Sequence, residues 1–298
     1  MSDIRILAVA AGRGGTGKST IAFGLADALR TAHPGLDVAL VDLDPQAGVT
    51  GYAKHVPSAD PVRDAPVVVH GLKLFRGGRA LAHASEADVR AHLERALAES
   101  PSTVLVVDMS PALTDVAHRA VFARDDVMLI GAIKTEPGSF QSVNELVAYV
   151  SRRSLPYVLV PTIHRNVLLN NTMLLTMRQQ HDGHVADVVV PLDGKAAECV
   201  VAGQPVTLYA RRAKASKAIV QLVHEVFGGG AGPPPSPDGP AASPTNSAEP
   251  PEPSPPGRRR RQVTTPAESA AVPPQPSRPR PLRAPRSRPQ PARTPEND

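Results

Sequence analysis

The chain has 298 residues, a formal net charge of +5 and a single cysteine, Cys199. One cysteine excludes an internal disulfide and a cysteine metal cage, and it is consistent with a reducing compartment. No apolar stretch approaches the ~18 residues of a membrane span. The absence of Trp disfavours a stacking platform for single-stranded nucleic acid. We therefore expect a cytoplasmic protein that does not bind membranes.

The composition changes at residue 228. Residues 228–298 are rich in Pro, Ser, Ala and Arg, and they carry ten arginines against six acidic residues. Such a segment cannot bury enough apolar surface to offset its ordering entropy. The sequence predicts one globular domain at 1–227 and a disordered tail at 228–298. The cluster Arg258–Arg261 either adds contacts to nucleic-acid phosphates or belongs to a solubilising or tethering tail.

The most specific motif lies near the start of the chain. An apolar run at 4–10 is typical of a buried strand, and residues 12–19 read G-R-G-G-T-G-K-S, which fits G-x-x-x-x-G-K-[ST]. Ile21, Leu25 and Leu29 then follow at helical spacing. Strand, glycine-rich loop and helix form the context of a phosphate-binding P-loop, so the motif predicts nucleotide binding.

The residue types in this loop suit a phosphate group. Glycines allow positive φ angles and let backbone N–H groups approach phosphate oxygens, and the helix N-terminus adds partial positive charge. The lysine can reach the β- and γ-phosphates, and the hydroxyl that follows it can ligand Mg²⁺. The predicted nucleotide-binding residues are Gly12, Arg13, Gly14, Gly15, Thr16, Gly17, Lys18, Ser19 and Thr20.

Two further predicted strands end in carboxylates. The strand 38–43 delivers Asp42 and Asp44, and the strand 102–108 ends in Asp108. Ligands of open parallel sheets bind at the carboxyl ends of strands, so these groups are expected near the P-loop. There they can hold Mg²⁺ or orient an attacking water, although Asp44 could instead cap the next turn. The predicted metal-binding residues are Ser19, Asp42 and Asp108.

The rest of the chain alternates between strands and helices. Residues 66–75 predict one or two short strands, and Ser85-x-x-Asp88 is a capping box for a helix that ends near residue 99. Repeated βα units predict an α/β fold with a doubly wound, mostly parallel sheet. The later predicted elements are helix 112–124, strand 127–133, helix 139–153, strand 157–160, helix 168–180, strand 185–190, and helices near 195–202 and 213–227.

Two isolated features have simple interpretations. His181 and His184 flank a glycine and could form a metal pair, but a polar turn is favoured because no further ligands lie nearby. Cys199 lies in a short apolar helix and is interpreted as a small buried hydrophobe.

Together these motifs resemble the ParA/MinD family of deviant Walker A P-loop ATPases, and most closely its ParA-type partition ATPases. The resemblance covers about residues 4–227. The similar segments are 13–19 (K-G-G-x-G-K-[ST]), 42–46 (D-x-D-P-Q), 108–111 (D-x-P-P), 134–137 (Q-T-E-P) and 191–206 (the late P-R-N block). The resemblance implies the P-loop NTPase fold with ATP and Mg²⁺ as cofactors.

The resemblance also implies roles for single residues. Lys18, Asp42 and Arg13 would be catalytic: Lys18 binds phosphate, Asp42 positions or activates the attacking water, and Arg13 stands at the family's signature lysine. Asp108 would support Mg²⁺. ATP would lie between the two chains of a homodimer. This dimer would bind duplex DNA non-specifically, hydrolyse ATP slowly when a ParB-like centromere-binding protein stimulates it, and move a DNA cargo over the nucleoid.

A basic cluster surrounds the start of the last predicted helix. It consists of Arg211, Arg212, Lys214 and Lys217. By the resemblance, Arg212 and Lys214 occupy positions of the family that contact DNA without sequence preference. From the charges alone, a solvated helix face remains the alternative.

Two departures from the family pattern keep other functions open. Arg13 replaces the signature lysine that reaches the partner's nucleotide, and Arg keeps the charge but not the shape, so Arg13 either weakens hydrolysis or acts as a finger-like substitute. Leu192 replaces the arginine of P-R-N.

The alternative functions are a membrane-cycling MinD-like ATPase, an iron–sulfur carrier or reductase component, and a nucleotide-dependent switch with little hydrolysis. The tail lacks an amphipathic helix and Cys199 stands alone, which disfavours the first two.

Overall fold

The computed structural model describes residues 4–113 and 115–228. Within them, seven strands form one sheet in the order β3-β4-β2-β5-β1-β6-β7. All neighbouring strands pair in parallel except β3 and β4, which pair antiparallel. The strands are β1 (Ile6–Ala10), β2 (Asp37–Asp42), β3 (Val67–Val69), β4 (Leu72–Phe75), β5 (Thr103–Asp108), β6 (Val127–Lys134) and β7 (Tyr157–Thr162).

Helices connect the strands and cover the sheet. The α-helices are α1 (Lys18–Ala32), α2 (Gly48–Tyr52), α3 (Glu86–Leu97), α4 (Val116–Phe122), α5 (Phe140–Ser151), α6 (Leu168–Gln180), α7 (Gly194–Ala202), α8 (Val206–Tyr209) and α9 (Lys214–Phe227). Short 3-10 turns cover Arg79–His83 and Pro137–Ser139. The predicted capping box is present, because Ser85 and Asp88 exchange side-chain and backbone hydrogen bonds at the start of α3.

The central strand β1 shows how the sheet is buried on both faces. Successive side chains of a strand point to opposite faces. Leu7 and Val9 join the apolar cluster that contains α1 and α9, whereas Ile6 and Ala8 join the cluster that contains α3, α4 and α5. Burial on both faces explains why the sequence of β1 is a continuous apolar run. The predicted doubly wound α/β fold is confirmed. The predicted tail at 228–298 lies outside the described residues apart from Gly228.

The predicted strand at 185–190 is not a strand of the sheet. The chain runs beside β7 and makes only isolated bridges at Val185 and Pro191. Between them, the amides of Asp187 and Val188 donate to the carboxylate of Glu225 in α9, at 2.8 and 3.0 Å. Ala186 and Val190 donate to β7, so a continuous ladder would also need the Val188 amide. A side chain distant in sequence therefore replaces the strand pairing that the apolar pattern predicted.

Cys199 belongs to α7, is fully buried and contacts Tyr52 of α2. Its thiol donates to the carbonyl of Ala196 at 3.0 Å, and the Tyr52 hydroxyl lies 2.6 Å from its sulfur. Burial raises the pKa of the Cys199 thiol, and Tyr52 partly opposes this shift. The cysteine thus packs in the core, as predicted, and also joins two helices through a polar contact.

Two observations concern the part of the chain that the structure describes. None of its helices combines the length and apolar character needed to cross a bilayer. His181 and His184 lie in the turn after α6, and residues 4–113 and 115–228 contain no group of three or more His, Cys, Asp or Glu arranged to hold a metal ion by themselves.

Candidate nucleotide-binding and catalytic site

The predicted P-loop joins β1 to α1 and borders a cavity of about 220 Å³. Gly15 and Gly17 have φ angles of 72° and 82°, which only glycine adopts at little cost. Gly12 lies outside the cavity lining and packs against Ser142 of α5, where a Cβ atom would collide with the Ser142 carbonyl. The residues that line the cavity are Arg13, Gly14, Gly15, Thr16, Gly17, Lys18, Ser19, Thr20, Asp44 and Pro111.

The end of β7 and the residue that follows it contact the P-loop. The Thr162 hydroxyl, at the end of β7, donates to the carbonyl of Thr16 at 2.6 Å. The next residue, Ile163, lies against Gly17, where an added Cβ atom would stand 3.6 Å from its side chain. Thr162 was not predicted as a site residue, because its closeness to the P-loop depends on the pairing of β6 with β7.

Lys18 and Ser19 converge on Asp108. The Lys18 ammonium lies 2.7 Å from one carboxylate oxygen of Asp108 and 3.7 Å from Asp44. The Ser19 hydroxyl donates to the other oxygen of Asp108 at 2.7 Å. Asp108 is completely buried. Burial raises the pKa of this carboxyl, while the Lys18 charge and both hydrogen bonds favour its ionised form.

Sheet register brings the second predicted carboxylate to the same edge. Asp42 and Asp108 are direct partners in the parallel pair of β2 and β5, at the last position of both strands. The carboxyl ends of parallel strands are where such sheets bind ligands. The structure therefore brings together Lys18, Ser19, Asp44 and Asp108 as predicted, with Asp42 next to them.

Asp42 has a different environment from Asp108. One of its oxygens, Oδ2, accepts the Thr50 amide at 2.9 Å and the Thr50 hydroxyl at 2.7 Å, and Oδ1 accepts the Asp44 amide at 3.1 Å. Only 1 % of the residue is exposed. Burial, with a smaller contribution from the Asp108 charge, raises the pKa of Asp42 to about 7 although these hydrogen bonds oppose the shift.

The donor set beside the P-loop fits Mg²⁺. A Cβ atom added to Gly48 would lie 2.9 Å from the Ser19 hydroxyl, 3.5 Å from Asp108 and 3.9 Å from Asp44, so three oxygen donors converge on one cradle. Mg²⁺ is usually held by one or two carboxylates, with phosphate oxygens and waters completing its shell. Ser19 and Asp108, which were predicted to bind Mg²⁺, both face this cradle. Asp42 points its oxygens at Thr50 and Asp44 instead of this cradle.

Arg13 forms an ion pair and a hydrogen bond with residues of its own chain. Its guanidinium donates to the Glu136 carboxylate at 2.8 Å and to the Gly138 carbonyl at 3.2 Å. Both residues follow β6, and Glu136 belongs to the segment that resembles the family's Q-T-E-P motif. This ion pair is partly exposed, with 35 % and 48 % of the two side chains accessible. The sequence motif therefore acquires a role that was not predicted: it orients Arg13.

The basic cluster lies outside the nucleotide cavity. Arg211, Arg212, Lys214 and Lys217 are all exposed around the start of α9, whose apolar face packs in the same cluster as α1. None of the four forms a salt bridge within residues 4–113 and 115–228. The Asp193 carboxylate accepts the amides of Lys195 and Ala215, and it thereby joins the starts of α7 and α9.

A glycine-rich loop between a central parallel strand and a helix, with a lysine facing a strand-end aspartate, defines a P-loop nucleotide-binding protein. Residues 7–206 match the family model of the CobQ/CobB/MinD/ParA nucleotide binding domain, and the chain belongs to this family. It is thus an ATPase of the ParA/MinD type, as the motifs predicted.

Partition proteins are among its relatives. The chromosome partitioning protein ParA of Caulobacter vibrioides is 26 % identical over 257 residues, which cover 76 % of this chain and 94 % of that protein. The chromosome-partitioning ATPase Soj of Thermus thermophilus is 26 % identical over 241 residues, covering 76 % and 96 %. The family resemblance drawn from the motifs is confirmed.

Solved structures share the fold. MinD of Pyrococcus horikoshii, complexed with Mg-ADP, has a TM-score of 0.63 and 18 % identity, and the match covers 75 % of this chain and 96 % of that one. A variant of Cyanothece McdA complexed with ATP has a TM-score of 0.62 and 16 % identity, with 76 % and 97 % covered. The predicted cofactors, ATP and Mg²⁺, agree with the nucleotides and metal in these neighbours.

Proposed function

We propose that this protein is a ParA-like partition ATPase that uses ATP and Mg²⁺ to position a DNA cargo. The ATP-bound form is a homodimer that encloses the nucleotides and binds duplex DNA without sequence preference. Slow hydrolysis, stimulated by a ParB-like centromere-binding partner, releases the DNA. The protein acts in the cytoplasm on the nucleoid, through a catalytic domain at 1–227 and a tail at 228–298.

The observation that carries this proposal is the convergence of Lys18, Ser19 and Asp108 beside the glycine loop. When bound, Mg²⁺ supplies charge neutralisation for the transferred phosphate. Ser19 and Asp108 would hold it, and Lys18 would leave Asp108 to contact phosphate oxygens. Asp42 would accept a hydrogen bond from the attacking water. These are the parts that phosphoryl transfer to water requires.

The exposed basic cluster supports the DNA-binding step. Four positive charges at the start of one helix can contact successive phosphates, and each phosphate contact contributes about −0.9 to the slope of log affinity against log salt. The relatives named for chromosome partitioning support the same step. The arginine-rich tail would add contacts of the same kind.

ATP turnover with and without non-specific duplex DNA tests the proposal. We expect DNA to stimulate turnover of the wild-type protein, and Lys18→Ala and Asp42→Ala to abolish it. A variant with Arg211, Arg212, Lys214 and Lys217 replaced by Ala should keep basal turnover and lose the stimulation. Arg152→Ala/Arg153→Ala, just after α5, removes two exposed charges elsewhere and is the control for the pair Arg211→Ala/Arg212→Ala. Turnover that ignores DNA even at low salt would overturn the partition function.

A second function is favoured by one contact, the ion pair between Arg13 and Glu136. An arginine held within its own chain is not extended toward a partner's nucleotide. This arrangement supports a nucleotide-dependent switch with little hydrolysis. Such a switch would form ATP-dependent dimers and bind DNA, but it would show no DNA-stimulated turnover in the same assay.

A further inference from the structure

Thr50 makes a double contact with the carboxylate of Asp42. This residue lies in α2, eight positions after Asp42, and it is completely buried. Its amide and its hydroxyl both approach the same oxygen, Oδ2, at 2.9 and 2.7 Å. Two donors on one oxygen fix both the position and the rotation of a carboxylate.

The direction of the Thr50 hydroxyl is itself fixed. The amide of Gly77, just after β4, donates to the Thr50 oxygen at 2.9 Å. A hydroxyl has one proton to donate, and the Gly77 amide already occupies one of its lone pairs. The Thr50 proton therefore points to Asp42. Gly77 also lies against the carboxylate, because a Cβ atom there would stand 2.7 Å from the Asp42 Cγ.

The two oxygens of Asp42 are left unequal. Each carboxylate oxygen can accept about two hydrogen bonds. Oδ2 accepts two, both from Thr50, whereas Oδ1 accepts one, from the Asp44 amide. The remaining acceptor site on the carboxylate is thus on Oδ1.

We propose that Thr50 is a positioning residue for ATP hydrolysis: it holds Asp42 so that Oδ1 accepts a hydrogen bond from the attacking water. Gly77 completes the arrangement by aiming the Thr50 proton. This inference rests on the proposed role of Asp42 in orienting that water. It assigns no contact between Thr50 and the nucleotide, so its effect should appear in the rate of the chemical step.

The test compares steady-state ATP turnover of the full-length protein and of Thr50→Val, Thr50→Ala and Thr50→Ser. Valine keeps the shape and the amide but removes the hydroxyl donor. Misplacement of a reacting group can cost about 10²-fold in rate. We expect Thr50→Val and Thr50→Ala to lower kcat by about 10- to 100-fold with KM within twofold of wild type. Thr50→Ser should restore most of kcat.

A matched variant separates positioning from loss of stability. Thr207 in α8 also donates its hydroxyl to a buried carboxylate, Asp27, at 2.6 Å, and neither residue lines the nucleotide cavity. Thr207→Val should lower the Tm about as much as Thr50→Val does and leave kcat unchanged. Wild-type kcat in Thr50→Val and Thr50→Ala, or no rescue by Thr50→Ser, would overturn the inference.

The role of Asp42 is tested separately in the same assay. If Asp42→Ala abolishes turnover while the Thr50 variants remain at the wild-type rate, the inference about Thr50 fails and the proposed role of Asp42 stands. If Asp42→Ala keeps normal turnover, both fail. Any turnover that survives Asp42→Ala should not fall further when Thr50→Val is added, because the hydroxyl then has no carboxylate to position.

Discussion

The ends of β2 and β5 present two buried carboxylates in opposite kinds of environment. Asp108 faces a cation and a hydroxyl, Lys18 and Ser19, whereas Asp42 faces neutral donors from Thr50 and Asp44. The two are register partners, so strand position alone does not distinguish them. What surrounds each carboxylate determines whether it suits a metal or a water molecule.

A large effect is also expected at Asp108. Asp108→Asn removes the charge that pairs with Lys18 and the anionic oxygen proposed for Mg²⁺ support. We expect turnover to fall by roughly 10²–10³-fold, as for other electrostatic catalytic groups. Titration of nucleotide binding with Mg²⁺ should show a weakened metal dependence. Normal Mg²⁺ dependence in this variant would mean that the two carboxylates do not differ in the way proposed.

The pH dependence of turnover should come from Asp42. Its pKa is about 7, so the carboxyl group is increasingly protonated as the pH falls below about 7. A protonated carboxyl group loses the acceptor site on Oδ1 that is proposed for the attacking water. Turnover at saturating ATP should therefore rise with pH and level off above about 7, with a loss approaching tenfold per unit on the acidic side. A flat profile between pH 6 and 8, with nucleotide binding intact, would contradict it.

Two glycines offer a paired test of smaller size. Gly48→Ala places a methyl group among Ser19, Asp44 and Asp108, whereas Gly77→Ala places one against Asp42. Overpacking of this kind costs about 1–3 kcal/mol. We expect Gly48→Ala to raise the Mg²⁺ concentration for half-maximal turnover several-fold. Gly77→Ala should instead lower kcat and leave this Mg²⁺ concentration unchanged. If both variants raised the Mg²⁺ concentration equally, the proposed difference between the Asp108 and Asp42 environments would be wrong.

The smallest effect is expected at an exposed carboxylate, Glu136. Its ion pair with Arg13 is partly solvated, and such pairs contribute about 0.2–1 kcal/mol to stability. Glu136→Gln should shift the denaturation midpoint correspondingly little, in contrast to Asp108→Asn. Glu145→Gln on α5 is the matched exposed control. A loss above about 2 kcal/mol for Glu136→Gln alone would show that Arg13 needs its partner for folding.

Local patterns were sufficient to predict one part of the site. The P-loop is continuous in sequence, and Asp42, Asp44 and Asp108 follow apolar runs that end at one sheet edge, so their convergence could be predicted. Thr50 and Gly77 could not be assigned in the same way, because their contact depends on the pairing of β4 with β2. The Arg13–Glu136 pair likewise depends on β6 lying beside β1.

The same limit explains the misplaced strand at 185–190. Its apolar residues predict a buried strand, and the segment does run along β7. Backbone pairing, however, depends on which groups compete for each amide. The Glu225 carboxylate of α9 accepts hydrogen bonds from two amides of the segment. The sequence of residues 185–190 alone gives no sign of this distant acceptor.

The buried position of Cys199 has a practical consequence for studying this protein in motion. A thiol that is inaccessible, hydrogen-bonded and raised in pKa forms little thiolate and reacts slowly with alkylating reagents. Since it is the single cysteine of the chain, the native protein should react very little with maleimide dyes. A cysteine introduced on an exposed helix would accept a fluorophore almost alone, so nucleotide-driven association could be followed by energy transfer without removing any native residue.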